Sequence, residues 1–181
     1  MAYSSPFRYA AALLLSLALL LGSCCANNVC DRDDSREDNI LLRFSIDGSR
    51  SFTAAELDTI IIQRYPRKFT PTTKPEVVIL RRTSAQARDT IVLNNNTPFA
   101  QTGTAKLNRY RYVIQYLQGV PGTRRVATPV LTIDSVQLRG SLEGAACCTY
   151  YKNTQKTVFI NNEPVGQDLK PNPVLTITKP R

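Results

Sequence analysis

The most reactive side chains in this sequence of 181 residues are five cysteines at positions 24, 25, 30, 147 and 148; histidine is absent. A thiol can serve as nucleophile, metal ligand, disulfide half or acylation site. The missing imidazole excludes Ser-His-Asp and Cys-His nucleophiles, His-ligated zinc and His-ligated haem. Cys25 and Cys30 are five positions apart and Cys147 adjoins Cys148, so neither pair forms the Cys-x2-Cys knuckle of a zinc site. Asp31, Asp33, Ser35 and Glu37 stand at alternate positions, as the ligands of a calcium loop do. The turn-forming sixth position, however, is Arg36 and the bidentate twelfth position is Leu42. No nucleophile elbow, phosphate loop or recognisable carboxylate pair occurs. No metal or cofactor is implied and the chain reads as a non-enzyme, with a hydrolase built on scattered carboxylates as the third-ranked reading.

Cys24 has its own context. One positive charge, Arg8, precedes an unbroken Ala-Leu-Ser run from Ala10 to Leu21, followed by Leu21-Gly22-Ser23-Cys24. The run is shorter than the ~20 residues needed to span a bilayer as a helix, and has the dimensions of a signal h-region. The whole segment resembles the lipobox signal peptide of bacterial lipoproteins. That resemblance implies diacylglycerol on the Cys24 thiol, cleavage before Cys24 and anchoring in the bacterial cell envelope. Position 25 is Cys and not the Asp that marks inner-membrane retention in enterobacteria, so the resemblance implies the outer membrane over the inner. Residues 1–23 are then signal peptide, 24–38 an acidic tether, and 39–181 a single domain.

With Cys24 acylated, Cys25, Cys30, Cys147 and Cys148 remain, an even set suited to an oxidising compartment. Adjacent Cys147 and Cys148 are poorly placed to bridge each other. A staple from Cys30 to Cys147 or Cys148 is expected, closing a loop of about 118 residues and contributing ~4–5 kcal/mol in the chain-entropy view.

The net charge of +9 comes from 23 Lys and Arg against 14 Asp and Glu. Two basic clusters interleave with aromatics: Tyr65-Pro66-Arg67-Lys68-Phe69 and Arg109-Tyr110-Arg111-Tyr112. Arg109, Arg111, Tyr110 and Tyr112 are the candidate contacts for an anionic ligand. For an exported chain that ligand is an envelope glycan or other polyanion, or another envelope protein, and not nucleic acid.

The elements that must position these groups read as strands. β-branched and aromatic runs occupy 39–46, 57–65, 76–82, 89–93, 109–117, 130–138, 149–151, 157–160 and 174–178, with Gly, Pro and Asn clusters between them. In 109–117, Tyr110, Tyr112, Ile114 and Tyr116 share one face, the period of a half-buried strand. Thr53-Ala54-Ala55-Glu56 is a capping-box pattern, but the β-branched residues that follow limit any helix to one turn. Pro129–Ile133 and Pro173–Ile177 repeat Pro-Val-Leu-Thr-Ile; they read as two similar strands, each with Pro at its start. The expected fold is all-β: an antiparallel β-sandwich, Ig-like or related, of about seven to nine short strands. The expected function is a non-catalytic structural or interaction module of the envelope, with a surface-displayed carbohydrate- or polyanion-binding accessory protein as the alternative.

Overall fold

The structure is a computed structural model describing residues 36–119, 122–145 and 148–180. Nine strands occur among them: β1 Ile40–Phe44, β2 Thr59–Pro66, β3 Glu76–Arg81, β4 Ile91–Leu93, β5 Tyr110–Gln118, β6 Val126–Ala145, β7 Cys148–Ile160, β8 Gln167–Asp168 and β9 Val174–Ile177. They form a six-stranded sheet ordered β3-β2-β5-β6-β7-β8 and a three-stranded sheet ordered β4-β1-β9. The fold is thus the expected β-sandwich. Two compact units are distinguished. The larger comprises Asp34–Ser141 and Asn153–Arg181, and the described part of the smaller lies within Leu142–Lys152.

The larger unit is held by alternation. Ile60, Ile62 and Arg64 of β2 and Tyr112, Ile114 and Tyr116 of β5 point inward, while the odd-numbered neighbours face out. The apolar and tyrosine side chains among them meet Ile40, Leu42 and Phe44 of β1 in one core cluster. Phe52 bridges the sheets edge-on, its ring centroid 5.3 Å from that of Phe44 and 5.0 Å from that of Tyr116. Such pairs contribute ~0.5–1.5 kcal/mol each beyond the area they bury.

The capping box forms one turn, as expected. The Thr53 N–H donates to Glu56 Oε2 at 3.0 Å and the Glu56 N–H to Thr53 Oγ1 at 3.3 Å. A second box, Thr83 to Gln86, opens the 3-10 turn Ser84–Arg88, with the Thr83 N–H donating to Gln86 Oε1 at 2.8 Å. In the smaller unit, Glu143 Oε2 accepts from the Tyr150 hydroxyl at 3.3 Å and from Lys152 Nζ at 3.1 Å. Cys148 is disulfide-bonded. The signal peptide, Cys24, Cys25, Cys30 and Cys147 lie outside the described residues.

Four expectations are corrected. The strands are not all short: β6 has 20 residues and β7 has 13, the latter fusing the two pieces expected at 149–151 and 157–160. The pairing is not all antiparallel, since β1 runs parallel to β9 from Leu41↔Val174 to Phe44↔Ile177. Pro129 lies inside β6, where the register with β5 shifts between Ile114 and Gln115; at such a bulge a proline's missing N–H is tolerated. Finally, the solvated tether stops before Asp38, which is fully buried. Its Oδ1 accepts from Asn153 Nδ2 and its Oδ2 from Asn95 Nδ2, both at 3.0 Å. Lys156 Nζ donates to the carbonyls of Glu37 at 2.9 Å and Asn39 at 3.1 Å, tying the segment to β7. Burial pushes the Lys156 ammonium below its ordinary pKa, partly offset by Glu37 and Asp38.

Candidate binding site

Strand alternation decides which basic and aromatic residues can act together. Tyr65 lies opposite Arg111 in the β2–β5 ladder, so the two project from the same face of the sheet. Arg109 ends the 3-10 turn Leu107–Arg109 that leads into β5, and the Arg67 N–H donates to its carbonyl at 3.0 Å. Two hollows line this outer end of the sheet. One of about 270 Å³ is walled by Tyr65, Phe69, Arg111 and Val113. The other, about 480 Å³, is walled by Pro66, Arg67, Lys68 and Arg109. They are neighbours through Tyr65-Pro66 and Lys68-Phe69 and are together called the shelf, the first having aromatic walls and the second, its rim, basic ones. Phe69 is 48% exposed, and its ring centroid lies 5.8 Å from that of Tyr65.

The loop that carries Phe69 is held by its own hydroxyls. The Thr70 N–H donates to Thr73 Oγ1 at 2.9 Å, and Thr70 Oγ1 lies 2.9 Å from Thr72 Oγ1 and 3.0 Å from Thr73 Oγ1. The Tyr65 hydroxyl donates to Gln63 Oε1 at 3.1 Å. The aromatic rings are thereby positioned before any ligand arrives, which lowers the ordering cost of binding.

Charge on the shelf is uneven. Arg111 pairs with Asp134 at 2.8 Å, and the second oxygen of Asp134 accepts the Asn162 N–H at 2.7 Å. Arg67, Lys68 and Arg109 have no carboxylate partner among the described residues, so the rim carries a net positive field. The arrangement suits a chain of anionic units: a flat ring against Phe69 and Tyr65, and a carboxylate or phosphate at the rim.

Of the four residues picked from the sequence, Arg109 and Arg111 fall on the shelf and the two tyrosines do not. Tyr112 is buried at 1% exposure and its hydroxyl donates inward to the Leu107 carbonyl at 3.4 Å; burial holds the phenol well above its ordinary pKa. Tyr110 faces inward too, with the Arg64 guanidinium 4.3 Å from its ring centroid. The ring partners that the shelf does use, Tyr65 and Phe69, stand in the other basic-aromatic cluster of the sequence. A further hollow of about 330 Å³ is lined by Arg43–Asp47, Arg88 and Thr176. It is spanned by the Arg88–Asp47 ion pair at 2.8 Å and has no aromatic floor among exposed residues. Among the described residues no group of three or more Cys, Asp or Glu side chains is placed to hold a metal ion, and no helix is long and apolar enough to cross a membrane.

Comparison of the chain with protein-family models, with curated proteins and with solved structures finds no match.

Proposed function

We propose that this chain is a lipid-anchored, non-catalytic interaction module of the bacterial cell envelope, and that the shelf takes an anionic carbohydrate or related polyanion of that envelope. The observation that carries the ligand class is the aromatic pair Tyr65 and Phe69 set beside Arg67, Lys68 and Arg109, three cations without carboxylate partners among the described residues. A non-catalytic reading is supported by the absence of histidine from the sequence and by the engagement of Asp134, the carboxylate beside Arg111, with Arg111 and the Asn162 N–H.

The anchor rests on the sequence pattern that ends at Cys24. Cys in place of Asp at position 25 supports the outer over the inner membrane, and a staple from Cys30 to Cys147 or Cys148 belongs to the same reading. Mass spectrometry of the mature amino terminus is expected to show diacylglyceryl Cys24, and an unmodified terminus further along would refute the anchor. Thiol counting on the denatured, unreduced protein checks the staple. For the ligand, the full chain is titrated with an acidic polysaccharide and with its uncharged counterpart. Retention of the acidic polymer alone is expected; equal affinity for both, or for neither, would exclude the polyanion reading.

A further inference from the structure

The outer strand β3 differs from the other sheet borders among the described residues. β8 has two residues, β4 three and β9 four, lengths that blunt an edge by themselves, whereas β3 runs six residues in unbroken register against β2. Its sequence, Glu76-Val-Val-Ile-Leu-Arg81, contains no proline and no lysine, and its outward residues Val77 and Ile79 are 49% and 56% exposed. A long apolar edge without such protection is a template for another strand.

Ladder geometry says which backbone groups it offers. The Arg82 N–H donates to the Asp58 carbonyl at 2.7 Å. Residues of an antiparallel strand alternate between facing the partner and facing away. Leu80, Val78 and Glu76 therefore turn their N–H and C=O groups toward β2, and Arg81, Ile79 and Val77 turn theirs to the free side. Those three are the outward-pointing side chains as well.

We propose that β3 pairs with β3 of a second copy of this chain, antiparallel, about a two-fold axis at Ile79. The axis must stand perpendicular to the sheet, which restricts opposite residues to the same face and so to registers in which their numbers sum to an even value. Centring on Ile79 sets Ile79 against Ile79, Val78 against Leu80, Val77 against the aliphatic stem of Arg81, and Glu76 against Arg82. Shifting the axis by one residue either way puts Glu76 against Leu80, or leaves it beyond the paired segment. The register about Ile79 is thus the one among these that matches opposite charges. It meets two features of the free chain. The Arg82 guanidinium donates to the backbone carbonyls of Gln86 and Asp89 and forms no ion pair with a carboxylate among the described residues. Glu76 gives one oxygen, Oε2, to Arg64 at 2.5 Å while its side chain stays 57% exposed. Pairing adds backbone bonds at Val77, Ile79 and Arg81 of each copy and joins the two six-stranded sheets into one, with Ile61, Val77 and Ile79 of both copies in a continuous outer stripe.

Light scattering on the full chain purified in detergent tests this. The native chain is expected at twice its own mass. Ile79→Lys, at an exposed position that need not disturb folding, sets like charges opposite each other and weakens the dimer at least about tenfold. Val165→Lys, at the most exposed apolar side chain described, keeps the dimer and controls for a general loss of surface apolarity. A native chain that stays monomeric over the accessible concentrations overturns the proposal and leaves the edge to a different partner. It is equally overturned if Ile79→Lys dimerises as well as the native chain, or if Val165→Lys abolishes the dimer while circular dichroism shows both variants folded.

Discussion

Asn153 Nδ2 donates to Asp38 Oδ1 at 3.0 Å, a buried bond between residues 115 positions apart. It fastens the end of the acidic run to the middle of β7. Asn95 closes the same network, donating to Asp38 Oδ2 at 3.0 Å and accepting the Leu107 N–H at 2.8 Å, with Lys106 Nζ 3.8 Å from the carboxylate. Removing Asp38 would take one buried acceptor from each of two amides, Asn95 and Asn153, and a carboxylate from the neighbourhood of Lys106. Asp38→Ala is expected to lower stability by about 3 kcal/mol, read as a lower midpoint in urea unfolding. A change below about 1 kcal/mol would show that water replaces the carboxylate at no cost.

Arg64 is 3% exposed and fills the core end of β2 with a charge. Its guanidinium lies 4.6 Å from the Phe99 centroid and 4.3 Å from the Tyr110 centroid, and bonds Glu76 and the Ala100 carbonyl. A planar cation is stacked here between two rings, a geometry that lysine cannot reproduce. Arg64→Lys is therefore expected to cost about 2 kcal/mol despite retaining the charge, and thermal unfolding of the variant against Glu76→Gln separates the ring contacts from the ion pair.

The pH dependence of stability follows from Tyr112 on the alkaline side. Burial raises its pKa in the fold above the ordinary 10.0. The unfolded chain therefore loses this proton first, and stability falls as pH rises through 10 toward the folded-state value. Tyr112→Phe is expected to flatten that part of the curve, leaving the neutral-pH midpoint close to native. On the acid side Glu56 works the other way. Burial raises its pKa, but bonds from Lys179 and Thr53 outweigh this and the net shift is downward. Its contribution is present above the ordinary 4.5 and is lost as pH falls through the lower folded-state value. Glu56→Gln should shallow the acid limb in the same denaturation series.

Binding at the shelf should be carried by the rim cations. Arg67→Glu with Arg109→Glu is expected to weaken retention of an acidic polysaccharide at least about tenfold at low salt, with the difference shrinking as salt screens it. Phe69→Ala should weaken binding at every salt concentration, since a ring contact is not screened. Loss of the salt-dependent part in the Arg variants, with no change in Phe69→Ala at any salt concentration, would assign the affinity to charge alone.

Most strands were legible because β-branched, aromatic and other apolar residues crowd 40–44, 59–66 and 110–118, the last of them at period two. The long β6 and β7 were not. Arg139-Gly140-Ser141 reads as a turn and Lys152–Lys156 as a polar break, yet Gly140 sits in strand and Asn153 and Lys156 are buried against partners more than 110 residues away. Local pattern carries no information on such distant partners, and the same holds for the parallel β1–β9 pair. At the shelf, sequence alternation correctly set Tyr110 and Tyr112 opposite Arg109 and Arg111 across the strand, which is why the four cannot converge on one ligand. What it could not supply was the neighbour: only pairing in the sheet brings Tyr65 beside Arg111.

The parallel contact between β1 and β9 also fixes an order of events. Leu41 meets Val174, so the first strand described acquires one of its two neighbours only when nearly the whole chain is present. Closing so long a loop is slow compared with local hairpins such as β2–β3. Until Val174–Ile177 arrives, one side of β1 is uncovered and the small sheet lacks a third of its strands. Were the chain exported as proposed above, a late-arriving β9 would leave it threadable through a narrow channel until the small sheet closes.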